Sequence, residues 1–386
     1  MKIGILTLPL HTNYGGILQA YALQTVLERM GHDVKVINLD RKPHSYSIGD
    51  IIKQFIKRVV SSVLSLRFYE YYNIRKEVNM RYNNFLIKSK YTQPFINKYI
   101  HNYWVKNYIT DINENDFDAI IVGSDQIWSH IHAGTIGGVC NAFLPTFTGK
   151  PTIRISYAAS FGKDEWNYTD KETKVAKNAI KEFKGISVRE STGVKLCRNY
   201  LGVEAIRHLD PTLLLNSDDY INKLKLNTIE KSPGNLLVYI LDSSSEKNAI
   251  VDYIEKSLAL KRFVVNSKVE DSGIKNKKQI EDCIQPPVEN WLRGFMDADF
   301  IVTDSFHACV FSILFHKPFV AIGNVERGLT RFQSLLSLFQ LEKRLVSSIK
   351  DIENLNLNET IDYLEVDKLI NAERERSFYY LNKHLS

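Results

Sequence analysis

The 386-residue chain is 44% hydrophobic and 24% charged, with a formal net charge of +6. Its length exceeds a usual single domain, and 20 tyrosines with 19 phenylalanines exclude a disordered chain. The cysteines Cys140, Cys197, Cys283 and Cys309 are far apart and form no CxxC pair, which supports neither a zinc cluster nor a dithiol redox motif and fits a reducing cytosol.

Residues 1–10 are apolar but run into His11-Thr12-Asn13-Tyr14-Gly15-Gly16 with no small-residue cleavage site, so they read as a first strand and not as a signal peptide. No apolar run approaches a membrane span. After the glycine pair, residues 17–27 read as a helix ending near Gly31, and 33–38 as a second strand. Strand, glycine turn, helix and strand make a Rossmann-like opening. The next stretch, 51–110, carries eleven basic and two acidic residues, and so supplies the whole positive surplus. Within it Ile51, Ile52, Phe55, Ile56, Val59, Val60, Val63 and Leu64 recur at helical spacing, with Lys53, Lys57 and Arg58 off that stripe. Two readings stand: a helix packed on its own domain with solvated lysines, or a basic helix lying on an anionic membrane surface. No nucleic-acid-binding module accompanies the charge.

Three apolar runs then end in polar tips, at Gly123-Ser124-Asp125-Gln126-Ile127-Trp128, at Ser156-Tyr157-Ala158-Ala159-Ser160-Phe161-Gly162, and at Arg189-Glu190. His208-Leu209-Asp210-Pro211-Thr212 closes the first half, and polar residues 216–233 look like an interdomain passage. A second α/β series starts with the strand 235–241 and ends in a helix over 366–385. Its most informative stretch is Thr303-Asp304-Ser305-Phe306-His307-Ala308, a strand tip opening an apolar helix. A hydroxyl and an imidazole there stand where open sheets bind ligands, beside free N–H groups that suit an anion. The plain alternative makes Ser305 a helix cap and His307 an ordinary first-turn residue. A further strand, 318–322, leads to a loop bearing Arg327 and Arg331, which could share one crevice with His307.

Taken together, the chain resembles the polysaccharide pyruvyl transferases. The resemblance runs almost end to end: Asn13-Tyr14-Gly15-Gly16, Val122-Gly123-Ser124-Asp125-Gln126-Ile127-Trp128, Ser156 to Gly162, Ile186-Ser187-Val188-Arg189-Glu190, Leu209-Asp210-Pro211-Thr212, Thr303 to His307, and Arg327-Gly328 with Arg331-Phe332. Each motif is weakly specific; their joint order is strongly so. The resemblance implies two Rossmann-like α/β domains in the GT-B manner with the active site in the interdomain cleft. The expected division is an N-terminal, acceptor-side domain over 1–220 with a basic helical insertion near 45–115, a C-terminal, donor-side domain over 234–365, and a closing helix over 366–386. It also implies phosphoenolpyruvate as co-substrate, with no bound cofactor, and a sugar diol as acceptor, a lipid-linked glycan at the cytoplasmic face of the membrane. Two positions depart from the family's pattern: Ala308 where glycine is usual, and Arg327 where some relatives carry lysine.

Ketal formation needs a proton on the donor's methylene carbon and cations for its carboxylate and phosphate. His307 is the candidate acid. Arg189 is a candidate catalytic cation, and Asp304 either orients the ring or is a cap. Ser305, Arg327 and Arg331 are assigned to the donor. Asn13, Gly15, Gly16, Ser124, Asp125, Gln126 and Trp128 go to the acceptor, with core packing as the alternative for Trp128 and a tight turn for the glycines. No spacing suits a metal. The competing functions are a nucleotide-sugar glycosyltransferase of like fold and a non-catalytic glycan-binding protein.

Overall fold

The computed structural model describes residues 1–40, 74–106, 111–147, 152–267, 277–323 and 328–386. The apolar run at the start of the chain becomes β1 (Lys2–Leu6), whose Ile3 and Ile5 are fully buried. Asn13 then caps α1 (Tyr14–Arg29) by accepting a hydrogen bond from the Gly16 N–H at 3.2 Å, and Gly31, in the left-handed region at φ +89°, turns the chain into β2 (Asp33–Leu39). The stripe over 51–64, and with it the question of membrane contact, lies outside the described residues. The described part of the insertion contains α2 (Ile74–Lys88), α3 (Thr92–Tyr99) and the edge strand β3 (Asn102–Val105). Adding β4 (Ala119–Val122) and β5 (Ile153–Ser156) gives a parallel sheet of order β3-β2-β1-β4-β5. A short parallel pair, β6 (Ser187–Val188) and β7 (Ile206–Arg207), continues from its edge through the bridges Ile155↔Gly185 and Ala159↔Val188.

The second sheet has the order β12-β11-β10-β8-β9, built from β8 (Leu236–Tyr239), β9 (Arg262–Phe263), β10 (Phe300–Thr303), β11 (Phe319–Ile322) and β12 (Leu345–Val346). Every strand pair in both sheets is parallel among the described residues, as crossover helices require: α4 (Ser245–Ser257), α5 (Val288–Asp297), α6 (Phe306–Leu314) and α7 (Leu329–Leu338) serve the second half. The two orders are the Rossmann and flavodoxin-like windings, so each sheet has a topological switch point, β1/β4 in the first and β8/β10 in the second.

Two features depart from the simple two-domain expectation. Residues 216–233 are not a bare linker: Asn216 caps a helix over Ser217–Lys223 whose Tyr220 is fully buried against Phe311. One apolar core also runs through both halves, with Tyr14 stacked on Trp291 at 5.3 Å. The closing helix, α8 (Tyr363–Leu385), begins three residues before the expected start and returns to the first half. There Tyr380 Oη donates to the Ser156 carbonyl at 2.8 Å, Arg374 donates to the carbonyls of Leu213 and Leu215, and Arg207 pairs with Glu373 at 2.9 Å.

His208 is trapped under this helix, its ring 4.6 Å from Tyr380 and its Nδ1 2.8 Å from Ser187 Oγ. Burial, with Arg376, Arg207 and His384 adding to it, lowers its pKa to about 4. The folded value lies below the unfolded one, so the unfolded chain binds the extra proton between them. Stability should therefore fall by about 2–3 kcal/mol as the pH drops from about 6.5 to about 4. Urea denaturation across that window should show the slope in the wild type and lose it in His208→Gln, whatever that variant's absolute stability.

Candidate active site between the two sheets

The two switch points face each other. At the first, the loop after β1 delivers Asn13 and Gly15 and the loop after β4 delivers Ser124 and Asp125; at the second, the turn after β10 delivers Ser305, Phe306 and His307. Ser305 caps α6 through a 3.5 Å bond from the Ala308 N–H, which fixes His307 in the first turn. His307 then meets the first turn of α1. A methyl group built on Gly15 would overlap Nδ1 and Cγ of the imidazole, so only glycine admits the ring there. The helices thus bring two positive N-terminal dipole ends to one place. Ala308 is fully buried in α6, in the core that runs through both halves.

The carboxylate beside the ring is Asp210, not Asp304. Asp210 Oδ2 lies 3.4 Å from His307 Nε2, accepts from Arg189 Nη1 at 2.9 Å and from Ser124 Oγ at 3.3 Å, while Oδ1 accepts from the Thr212 N–H and hydroxyl. Burial alone would raise its pKa, but His307, Arg189 and Thr212 outweigh that and hold it well below the usual carboxylate range. Asp304 is spent elsewhere: it accepts from the N–H groups of Leu241 and Asp242 and from Lys247 Nζ at 2.7 Å, and so clamps the loop after β8. Asp304 lies in the turn just after β10 and His307 in the first turn of α6, so nearness in sequence does not bring them together.

Arg189 is buried, donates from Nε to Glu190 at 3.0 Å, and lies with its guanidinium carbon 4.3 Å from the Phe306 ring centre. Burial opposes its charge, but Glu190, Asp210 and Asp125 keep it more firmly protonated than an ordinary arginine. Its Nη2 is buried without a hydrogen-bond partner among the described residues, and the same holds for His307 Nε2. A buried cationic donor without a partner, in the same cluster as an imidazole whose Nε2 faces Asp210, suits an anion's oxygen. Arg331, on α7, lines a small crevice with Arg189, Asp210, Phe306 and Leu335; His307 does not line it. Gly328 packs on the Gly162 carbonyl, so the second half's loop touches the first half's second polar tip. Arg327 lies outside the described residues.

Of the expected acceptor residues, Asp125 approaches Gly16 and Asn13 is exposed at the α1 cap. Ser124 is inside the cluster, its N–H donating to Gln19 Oε1 at 3.1 Å. Gln126 is turned toward Gly162. Trp128 has no exposed surface; it stacks on Phe143 at 5.0 Å and belongs to the core, so it offers no platform. Sequence reasoning missed Asp210 as a site residue. Its signal was an Asp-Pro pair just after a strand, which reads equally well as a cap, and it does cap Thr212. Among the described residues, no group of three His, Cys, Asp or Glu side chains could hold a metal.

A family model described as polysaccharide pyruvyl transferase matches residues 13–326. The chain belongs to that family. No curated protein matches it significantly. Among solved structures, a UDP-GlcNAc 2-epimerase from Neisseria meningitidis bound to UDP-GlcNAc is 11% identical, with TM-score 0.46, 99% of this chain and 100% of that one covered. A glycosyltransferase from Rickettsia africae is 12% identical, with TM-score 0.44 and coverage of 100% and 96%. These are likenesses of shape at low identity, and no activity is carried over from them.

For the family member described here, two substitutions separate structure from turnover. Asp210→Asn leaves Arg189 short of a buried counter-charge and should cost about 3 kcal/mol in urea unfolding. The folded pKa of Asp210 lies below its unfolded value, so its stabilisation is complete above about pH 4 and lost below it; the variant's acid limb should be shallower there. Gly15→Ala adds a residue favoured in helices, yet it must push the imidazole aside. Turnover should fall by about 10²-fold with a melting temperature within a few degrees of wild type, checked by steady-state kinetics and circular dichroism.

Proposed function

We propose that the chain transfers the pyruvyl group of phosphoenolpyruvate to two hydroxyls of a sugar, forming a ketal and releasing phosphate. His307 protonates the methylene carbon, which becomes a methyl group. The neighbouring carbon gains positive character and is attacked by one hydroxyl. Phosphate leaves, and the second hydroxyl closes the ring. One hydroxyl proton replaces the proton given by His307, and the other departs with phosphate. Arg189 Nη2 is oriented to take a donor oxygen, with Arg331 beside it and Arg327 as the further cation assigned from the sequence. Asp210 positions the ring and does not touch the donor. Asn13 and Asp125 stand on the acceptor side.

The observation that carries this reading is the buried trio of His307, Asp210 and Arg189 at two opposed helix N-termini. The crevice beside Arg189, Phe306 and Arg331 measures about 10 Å³, room for about one water, so donor entry requires the surrounding side chains to move. The family supports transfer to a polysaccharide precursor. We further propose a lipid-linked glycan as acceptor at the cytoplasmic membrane face. Among the described residues no helix is long and apolar enough to cross a membrane.

Incubation with phosphoenolpyruvate and a panel of aryl and lipid-linked glycosides should give acceptor-dependent phosphate release and a pyruvate-sized mass gain. His307→Ala should lower that rate about 10²–10⁴-fold. Phosphoenolpyruvate should raise the melting temperature and nucleotide sugars should not. Stabilisation by a nucleotide sugar alone, with no phosphate release from any acceptor, would instead favour a glycosyltransferase.

A further inference from the structure

A second cavity, of about 400 Å³, opens in the first half and is larger than the crevice beside Arg189 and Phe306. Its size falls within the range of about 300–1,000 Å³ typical of small-molecule pockets. It is walled largely by the described part of the insertion. Tyr82, Phe85 and Leu86 come from one face of α2, Gln93 and Asn97 from α3, and Trp104 from β3. Leu39 and Asp40 close it at the end of β2. It therefore lies at the carboxyl edge of the sheet, where parallel sheets receive ligands.

Its chemistry differs from that of the crevice. Trp104 lines the cavity and is 49% exposed, whereas Trp128 and Trp291 have no exposed surface. Tyr82 and Phe85 stack on each other at 6.3 Å, extending the aromatic wall. Opposite them, Gln93 Nε2 donates to Asn97 Oδ1 at 3.0 Å, which leaves an acceptor on one amide and a donor on the other. Asp40 adds a carboxylate. No lysine or arginine lines the cavity among the described residues. Aromatic faces with planar polar groups match a sugar ring, whose C–H face stacks while its hydroxyls bond sideways.

The cavity is joined to the catalytic end of α1. Leu10 lines it, His11 stacks on Phe85 at 4.6 Å, and Thr92 Oγ1 donates to the His11 carbonyl at 2.8 Å. From Leu10 to the Asn13 cap the chain spans at most about 10 Å, the scale of a sugar residue and its linkage.

We infer that this cavity is a saccharide subsite, holding a unit of the acceptor glycan next to the one that is pyruvylated. The inference rests on the reading of the acceptor as a glycan. It assigns to the insertion the choice of acceptor, with Trp104 as the stacking platform and Gln93 and Asn97 as the directional partners.

The test is a glycan array spanning common linkages, probed with the full chain in the absence of phosphoenolpyruvate, followed by calorimetry with the best oligosaccharide and its component methyl glycosides. Trp104→Ala should weaken oligosaccharide binding at least tenfold, Trp104→Phe should restore most of it, and Asn97→Ala should weaken it less. Stabilisation by phosphoenolpyruvate should be unchanged in all three. No array binding, or binding indifferent to Trp104 and Asn97, overturns the subsite, as does Trp104-dependent binding of farnesyl phosphate in place of sugars. Because binding is read without the donor, an array hit with no phosphate release would sink the pyruvyl reading alone. Phosphate release from a monosaccharide with no array hit would sink the subsite alone.

Discussion

The carboxylate of Asp210 is the constraint on which the site depends. It has no exposed side-chain surface, and an ionised carboxylate in such a place survives only with cations and donors around it. Arg189, Ser124 and Thr212 supply them from one half, and His307 approaches from the other. The same charge that anchors the arginine therefore also draws the imidazole toward its working position. Arg189 is in turn held by Glu190, which Ser160 Oγ binds at 2.7 Å. The second polar tip of the first half thus braces a residue of the third.

This network explains why the local field is balanced and not simply positive. Arg189 faces Asp210, Glu190 and Asp125, and two helix ends add positive potential. A donor with a carboxylate and a phosphate would meet directed donors more than bulk charge, and directed donors are what discriminate a planar anion from a generic one.

Much of this was legible in the sequence, for physical reasons. An apolar run ending in small polar residues marks the carboxyl end of a buried parallel strand, so the loops bearing Ser124, Arg189 and His307 could be placed before their contacts were known. What stayed hidden was pairing across the chain. Gly15 looks like a turn residue, and its role as the floor for an imidazole depends on a helix almost three hundred positions later. Asp304 and Asp210 are both acids at strand ends; only the direction of each side chain tells the clamp on Lys247 from the partner of His307. Trp128 sits inside a motif, yet stacking on Phe143 gives it a wholly apolar setting. The helical passage over 216–233 was read as a linker because its outward face is polar, while Tyr220, Leu224 and Leu226 face in.

The return of α8 to the first half bears on how the protein is made. Tyr380 and Leu385 are part of the core that includes Ile5 and Leu23, so β1 and α1 lack part of their apolar cover until α8 has been made. Vectorial synthesis cannot finish one half and then the other. The nascent first half must wait, with hydrocarbon bare to the solvent, for a helix made only after the whole second half.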